Sequence, residues 1–206
     1  MRSFYKLLFL LLLLQQLVQY NCSSNSVYRQ YFILDYKPVL QDSSLKLTKP
    51  LPFKVQVQTM KISQTFDRVG IVVRYSTHQL DYYRYQLWAI RPQIVVSDLI
   101  ARHISNYNTF QSCQREFLDE RPDLEIIGTI DAIEKFDNEA YTAAHFAMHL
   151  YLRNYNSYEN ILVHEFDREE EMPSFRMELF AKKVSDILRE EVDVFIGKII
   201  RHYQKQ

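Results

Sequence analysis

Residues 140–153 read Ala-Tyr-Thr-Ala-Ala-His-Phe-Ala-Met-His-Leu-Tyr-Leu-Arg, and the alternation within them decides the fold. Ala140, Thr142, Ala144, Phe146, Met148, Leu150 and Leu152 share one side of an extended chain. Tyr141, His145, His149, Tyr151 and Arg153 share the other. Side chains alternate across a strand, so the pattern predicts a long strand with its apolar face in a core. Residues 124–136 and 161–166 are strand-like too. They flank it across turns at 137–138 and 154–160, which predicts a three-stranded meander.

Working outward, Phe53, Val55, Val57 and Thr59 alternate with Lys54, Gln56 and Gln58, the mark of a half-buried strand. Residues 69–75 are rich in β-branched side chains and read as its neighbour. Residues 31–36, 82–88 and 112–118 are further strand candidates, and 41–52, with Pro50 and Pro52, is a loop. Val96, Leu99, Ile100, Ile104 and Tyr107 recur at helical spacing behind Pro92, which predicts a helix over 93–107. A second apolar stripe, from Phe180 through Ile199 to Tyr203, predicts a helix over 174–203. At 1.5 Å per residue it would reach about 45 Å and overhang a small sheet. Asp167, Glu169, Glu170 and Glu171 would then lie just before its positive end, where negative charge is favourable. The fold class is α/β: one domain with a mixed, mostly antiparallel sheet packed by two main helices.

The N-terminus sets the compartment. Arg2 and Lys6 precede the apolar run Leu7–Leu14, with Leu17, Val18 and then Cys22 beyond it. A charged start, a short apolar middle and a cleavage region describe a secretory signal. The run is too short for a bilayer, which needs roughly 20 residues. Cleavage before Cys22 would leave a lipidated cysteine as the first mature residue, and its acyl chains would tether the protein. Asn21 and Gln19 hold the box positions where a small residue and Leu are usual. Ordinary cleavage is the alternative, and it leaves Cys22 able to pair with Cys113. The organisation expected is a signal over 1–21, a serine-rich flexible tether over 22–30 and one domain over 31–203.

Composition excludes several classes. Without residues 1–21 the chain has 23 basic and 25 acidic residues, which gives no electrostatic footprint for nucleic acid. The three glycines, Gly70, Gly128 and Gly197, cannot build a glycine-rich phosphate loop, so an energy-coupled role needs a separate ATPase. Fifteen tyrosines are many for 206 residues; most suit strand packing, and the exposed ones suit contact surfaces.

Candidate sites are few. His145 and His149 would chelate zinc on a helix, but on a strand they stand roughly 13 Å apart, so no metal is expected. With Tyr141 and Tyr151 they form a candidate partner surface. His164 opens the acidic run to Glu171, the one place where an exported hydrolase could be imagined. No nucleophile or oxyanion hole accompanies it, so no catalytic residue and no cofactor is assigned. A surface lipoprotein binding host or matrix molecules is a further rival reading. Trp88, the only tryptophan, can close one end of the core while Pro92 fixes the approach of the helix that follows.

At these residues the chain resembles the ABC-type transport auxiliary lipoprotein family, the paraquat-inducible lipoprotein C-like proteins. The likeness rests on the lipoprotein start, Tyr31 to Leu34, Val55 with Val57, and the strand Ile71 to Tyr75. It continues in the signature Trp88, Ala89 and Pro92, then Phe110, then Leu124, Gly128 and Ile130. The resemblance covers most of residues 31–200, in order. It implies a non-enzymatic, lipid-anchored accessory subunit in a bacterial cell envelope, with an ABC permease, its ATPase and an MCE-domain protein as partners. Such systems move lipids or other hydrophobic molecules between membranes. Ser23, in place of the aspartate that retains lipoproteins at the inner membrane, favours the outer membrane, facing the periplasm. An overhanging C-terminal helix would touch the partner or a second copy, making a homo-oligomer.

Overall fold

A computed structural model describes residues 28–38, 45, 47–138 and 141–205. Cys22, the signal and most of the tether lie outside the described residues, as does Ala140. The chain runs β1 (Gln30–Phe32), β2 (Leu51–Val57), β3 (Lys61–Ile62), β4 (Gly70–Ser76), β5 (Gln79–Trp88), α1 (Pro92–Asn106), β6 (Phe110–Gln114), β7 (Leu124–Asn138), β8 (Tyr141–Asn154), β9 (Asn160–Glu171) and α2 (Met177–Gln204).

Strand β7 organises the sheet. It carries β8 antiparallel along one edge, and β9 adds antiparallel beyond β8. Its other edge is shared by three parallel strands in succession. Val55–Val57 of β2 pairs with Leu124–Ile126, β3 with Thr129–Ile130, and Val72–Arg74 of β4 with Glu134–Phe136. Strand β6 flanks β2 in parallel, β5 flanks β4 antiparallel, and β1 lies parallel beyond β5. The long ladders are antiparallel and the short ones parallel, so the sheet is mixed and mostly antiparallel, as the sequence predicts. A bulge at Asp131 breaks the β7–β8 register between Ile130 and Ala132. The extra residue reverses the alternation of β7, so that Ala132 and Glu134 face the side that Glu125, Ile127 and Thr129 face before it.

Both helices cover one face. Val55, Val57, Ile126, Ile130, Ile133, Phe146, Met148, Leu150 and Leu152 meet Val96, Ile100 and Ile104 of α1 and Phe180, Val184, Ile187, Leu188, Val192 and Phe195 of α2. Pro92 occupies the first turn of α1, and Trp88, buried just before it, packs its ring 5.8 Å from Phe180. Ala89 is exposed and donates its backbone N–H to Phe32 O, which fastens β1 to the start of the helix. Gly128 is needed for a close approach: a Cβ there would lie 2.4 Å from His149 O and 2.9 Å from Met60 Sδ. Met60, buried and held by Ser97 Oγ, fills the space that the missing side chain leaves. Cys113 is buried and has no disulfide partner among the described residues, and burial pushes its pKa up to about 12.

Four expectations need correction. Strand β2 starts at Leu51, inside the expected loop, and β6 spans Phe110–Gln114, leaving Leu118 exposed. The acidic run after His164 is not a leader to the last helix. It continues β9 to Glu171, because pairing with β8 persists as far as Ala143. Helix α2 therefore begins at Met177 and is about 42 Å long at 1.5 Å per residue. It does not overhang: Ile199 and Ile200 are buried, and Tyr203 packs its ring 5.1 Å from Phe53.

Candidate functional site

The face of the sheet away from the helices carries the sequence-predicted surface. Alternation along β8 sends Tyr141, His145, His149, Tyr151 and Arg153 to this side, each partly exposed. The two histidines repeat one arrangement, each standing between a carboxylate of β7 and a carboxylate of β9. His145 Nδ1 donates to Glu134 Oε1 at 3.0 Å and Nε2 donates to Asp167 Oδ1 at 2.8 Å. His149 Nδ1 bonds Asp131, and its Nε2 lies 3.8 Å from Glu165 Oε1. Asp131 follows Thr129, the residue opposite His149, on this face, and the bulge beside it lets even-numbered Glu134 stand opposite His145 on the same side.

Both neighbours of His145 are acceptors, so the ring must carry both protons to satisfy them. Burial opposes that charge, but the bonds and charges of Glu134 and Asp167 outweigh it and raise the His145 pKa. Glu134 is 2% exposed. Burial alone would raise its pKa, yet His145 and Arg74 hold it below the ordinary carboxylate range. Arg74 Nε donates to Glu134 Oε1 at 2.8 Å. A charged line, Arg74–Glu134–His145–Asp167, thus crosses four strands, and Glu134 Oε2 has no hydrogen-bond partner among the described residues. Tyr141 bonds Glu169, which pushes its phenol up to about 12.

At the other end of this face is a cleft of about 550 Å³. Lys61, Thr129, Tyr151, Arg153, Tyr155 and Tyr158 line it. Arg153 Nε donates to Glu125 Oε1 at 2.6 Å, and Gln58 holds the other oxygen of Glu125 at 3.3 Å. The Arg153 guanidinium lies 5.1 Å from the Tyr158 ring centroid.

The acidic run near His164 has other duties. His164 is buried on the helix side, donates from Nε2 to Glu191 at 2.9 Å and accepts from Lys198 Nζ at Nδ1 at 2.9 Å. Its ring stacks 5.9 Å from Phe195. Burial first, and then the Lys198 charge, lower its pKa. Arg168 bonds Glu170, Glu190 and Glu191, and Lys183 bonds Glu170. Glu170 and the basic groups on either side of it therefore bind β9 to α2. Glu165, Asp167 and Glu169 point the opposite way. A similar seam joins the helices, where buried His103 bonds Tyr36 Oη at 3.1 Å and Asp193 at 3.0 Å.

Sequence reasoning named the β8 residues of the open face but not their β7 partners Glu125, Asp131 and Glu134, nor Lys61 and Tyr158. The available signal was charge at spaced positions within the otherwise apolar run 124–136. Among the described residues no group of three metal-ligating side chains converges, and no helix is long and apolar enough to cross a membrane.

Comparisons with known proteins agree with the topology. The profile of the family described as ABC-type transport auxiliary lipoprotein component matches residues 36–193. No curated protein matches the chain. Among solved structures, protein XCC0632 from Xanthomonas campestris, a DUF330 protein, superposes with a TM-score of 0.70 at 14% identity, covering 85% of this chain and 98% of that one. A second, uncharacterized protein gives 0.65 at 13% identity, covering 84% and 99%. At such identities the likeness is one of fold.

Proposed function

From the premise that this chain belongs to the ABC-type transport auxiliary lipoprotein component family, we propose that it is a non-enzymatic accessory subunit of an ABC/MCE-type transporter moving lipids across a bacterial cell envelope. Residues 1–21 are a lipoprotein signal, residues 22–30 a tether, and acyl chains on Cys22 hold the body over 31–203 at the outer membrane, facing the periplasm. The partners are the MCE-domain protein and the ABC permease with its ATPase.

One observation carries the docking part of this reading. Both helices cover the same side of the sheet, and the other side shows a half-exposed row of Tyr141, His145, His149 and Tyr151. Tyrosine offers large contact area at low entropic cost, which suits a docking surface. The histidines and carboxylates of the same face are held by each other, so their polar and charged groups are fixed in place. Docked proteins gain orientation and specificity from such charges more than affinity.

Affinity purification of the tagged full chain from detergent-solubilised membranes tests this. Recovery of a permease, ATPase or MCE-domain protein is expected, together with labelled palmitate on the wild type and none on Cys22→Ala. Recovery of no transporter component under several detergents would overturn the assignment.

A further inference from the structure

The cleft at the β8–β9 end of the open face has the chemistry of a ligand site. Its two cations are available. Lys61 is exposed and makes no ion pair among the described residues. Arg153 donates to Glu125 from Nε, its other guanidinium nitrogens make no hydrogen bond or ion pair among the described residues, and the side chain lines the cleft. Glu125 also lines the cleft; it is 2% exposed and shared by Arg153 and Gln58, so its charge is taken up in fixing Arg153 in place. Tyr151, Tyr155 and Tyr158 line the same hollow.

The turn above the cleft is strained. Tyr158 has φ 58°, in the left-handed region that a bulky residue rarely adopts. Asn154 Oδ1 accepts from Asn156 N and Ser157 N, and Tyr158 N donates to Asn154 O, so the turn is tightly determined. Strain of this kind persists where the surroundings impose it, commonly at binding sites. Here it sets the Tyr158 ring against Arg153.

We propose that this cleft binds a phosphate ester, with Arg153 and Lys61 on the phosphoryl oxygens, tyrosine hydroxyls donating to the same group, and the tyrosine rings against the alcohol-bearing remainder. An arginine fork matches phosphate oxygens geometrically, and a lysine adds a point charge. About 550 Å³ is within the range of small-molecule pockets and exceeds what a bare ion needs. The same chemistry belongs to an anionic phospholipid headgroup and to a soluble glycerol phosphate. The cleft would hold either one whether or not the face docks a transporter subunit, so the two ideas fail separately.

Calorimetric titration of the purified full chain decides it, using glycerol phosphate, monomeric short-chain phosphatidylglycerol and an acidic peptide as probes. Saturable binding of one or both phosphate probes is expected, weakened about tenfold in Lys61→Gln and in Tyr158→Ser. Tightness for phosphatidylglycerol alone marks a lipid headgroup as the source, and equal binding marks the soluble ester. Lys61→Gln changes an exposed side chain, so its thermal unfolding should match wild type even if Arg153→Gln fails to fold. Binding unchanged in both Lys61→Gln and Tyr158→Ser, no saturable heat with either phosphate probe, or binding of the acidic peptide alone would overturn the proposal.

Discussion

His145 and His164 sit on neighbouring strands of one sheet, on opposite faces, and the two faces use them in opposite ways. His145 lies between two carboxylates on the open side, and those neighbours raise its pKa in spite of burial. His164 lies under α2 against Phe195, where burial and Lys198 lower its pKa. The covered face uses polar groups to close a seam between β9 and α2. The open face uses them to hold fixed charge against solvent. The difference follows from where the helices lie, because the apolar stripes of α1 and α2 are both spent on one side of the sheet.

The covered face should be the harder to alter. Gly128→Ala forces a Cβ into His149 O, and Trp88→Ala empties a buried site beside Phe180. The expected losses are about 3 kcal/mol or more for the first and about 3–5 kcal/mol for the second, read from denaturant unfolding. A wild-type midpoint in either variant would show that the core is not packed as described.

On the open face the largest stability effect should come from Glu134→Gln, which leaves Arg74 and His145 without their shared charge. A loss of about 2 kcal/mol is expected. Tyr141→Ser should cost under about 0.5 kcal/mol, as at ordinary surface sites. If Tyr141→Ser proves as damaging as Trp88→Ala, the contrast between the faces is lost.

The pH dependence sharpens the contrast further. His145, with its folded pKa raised, contributes stability that is full below its ordinary value near 6.5 and is lost as pH rises through the folded value. Glu134, with its pKa lowered, contributes stability above the usual carboxylate range that is lost as pH falls through its folded value. His164 is kept neutral, so below about 6.5 the unfolded chain takes up a proton that the folded chain refuses, and stability falls with pH. NMR titration of the ring protons should place His145 above and His164 below the ordinary histidine value. The reverse order would contradict both environments.

Much of this frame was legible in the sequence, for a local reason. The β8 alternation and the α1 stripe are periodic over enough residues to outweigh any other reading. The end of β9 was not legible. A run of acidic residues just before a helical stripe fits a helix N-terminus, and only pairing with β8 makes Asp167–Glu171 a strand. Nor could sequence show that β2, β3 and β4 share one edge of β7, since parallel pairing leaves no local trace. The open face was half legible. The β8 residues were visible, whereas Glu134 and Asp131 depend on cross-strand register and a bulge, and Tyr158 depends on a backbone angle.

Docking on the helix-free face can be read directly with photo-crosslinking residues placed one at a time in cells. Positions 141 and 149 lie on that face, and exposed positions 178 and 182 lie on α2. Crosslinks to a transporter component from 141 and 149, and none from 178 and 182, are expected. Crosslinks from the α2 positions with none from β8 would put the partner on the opposite side of the molecule.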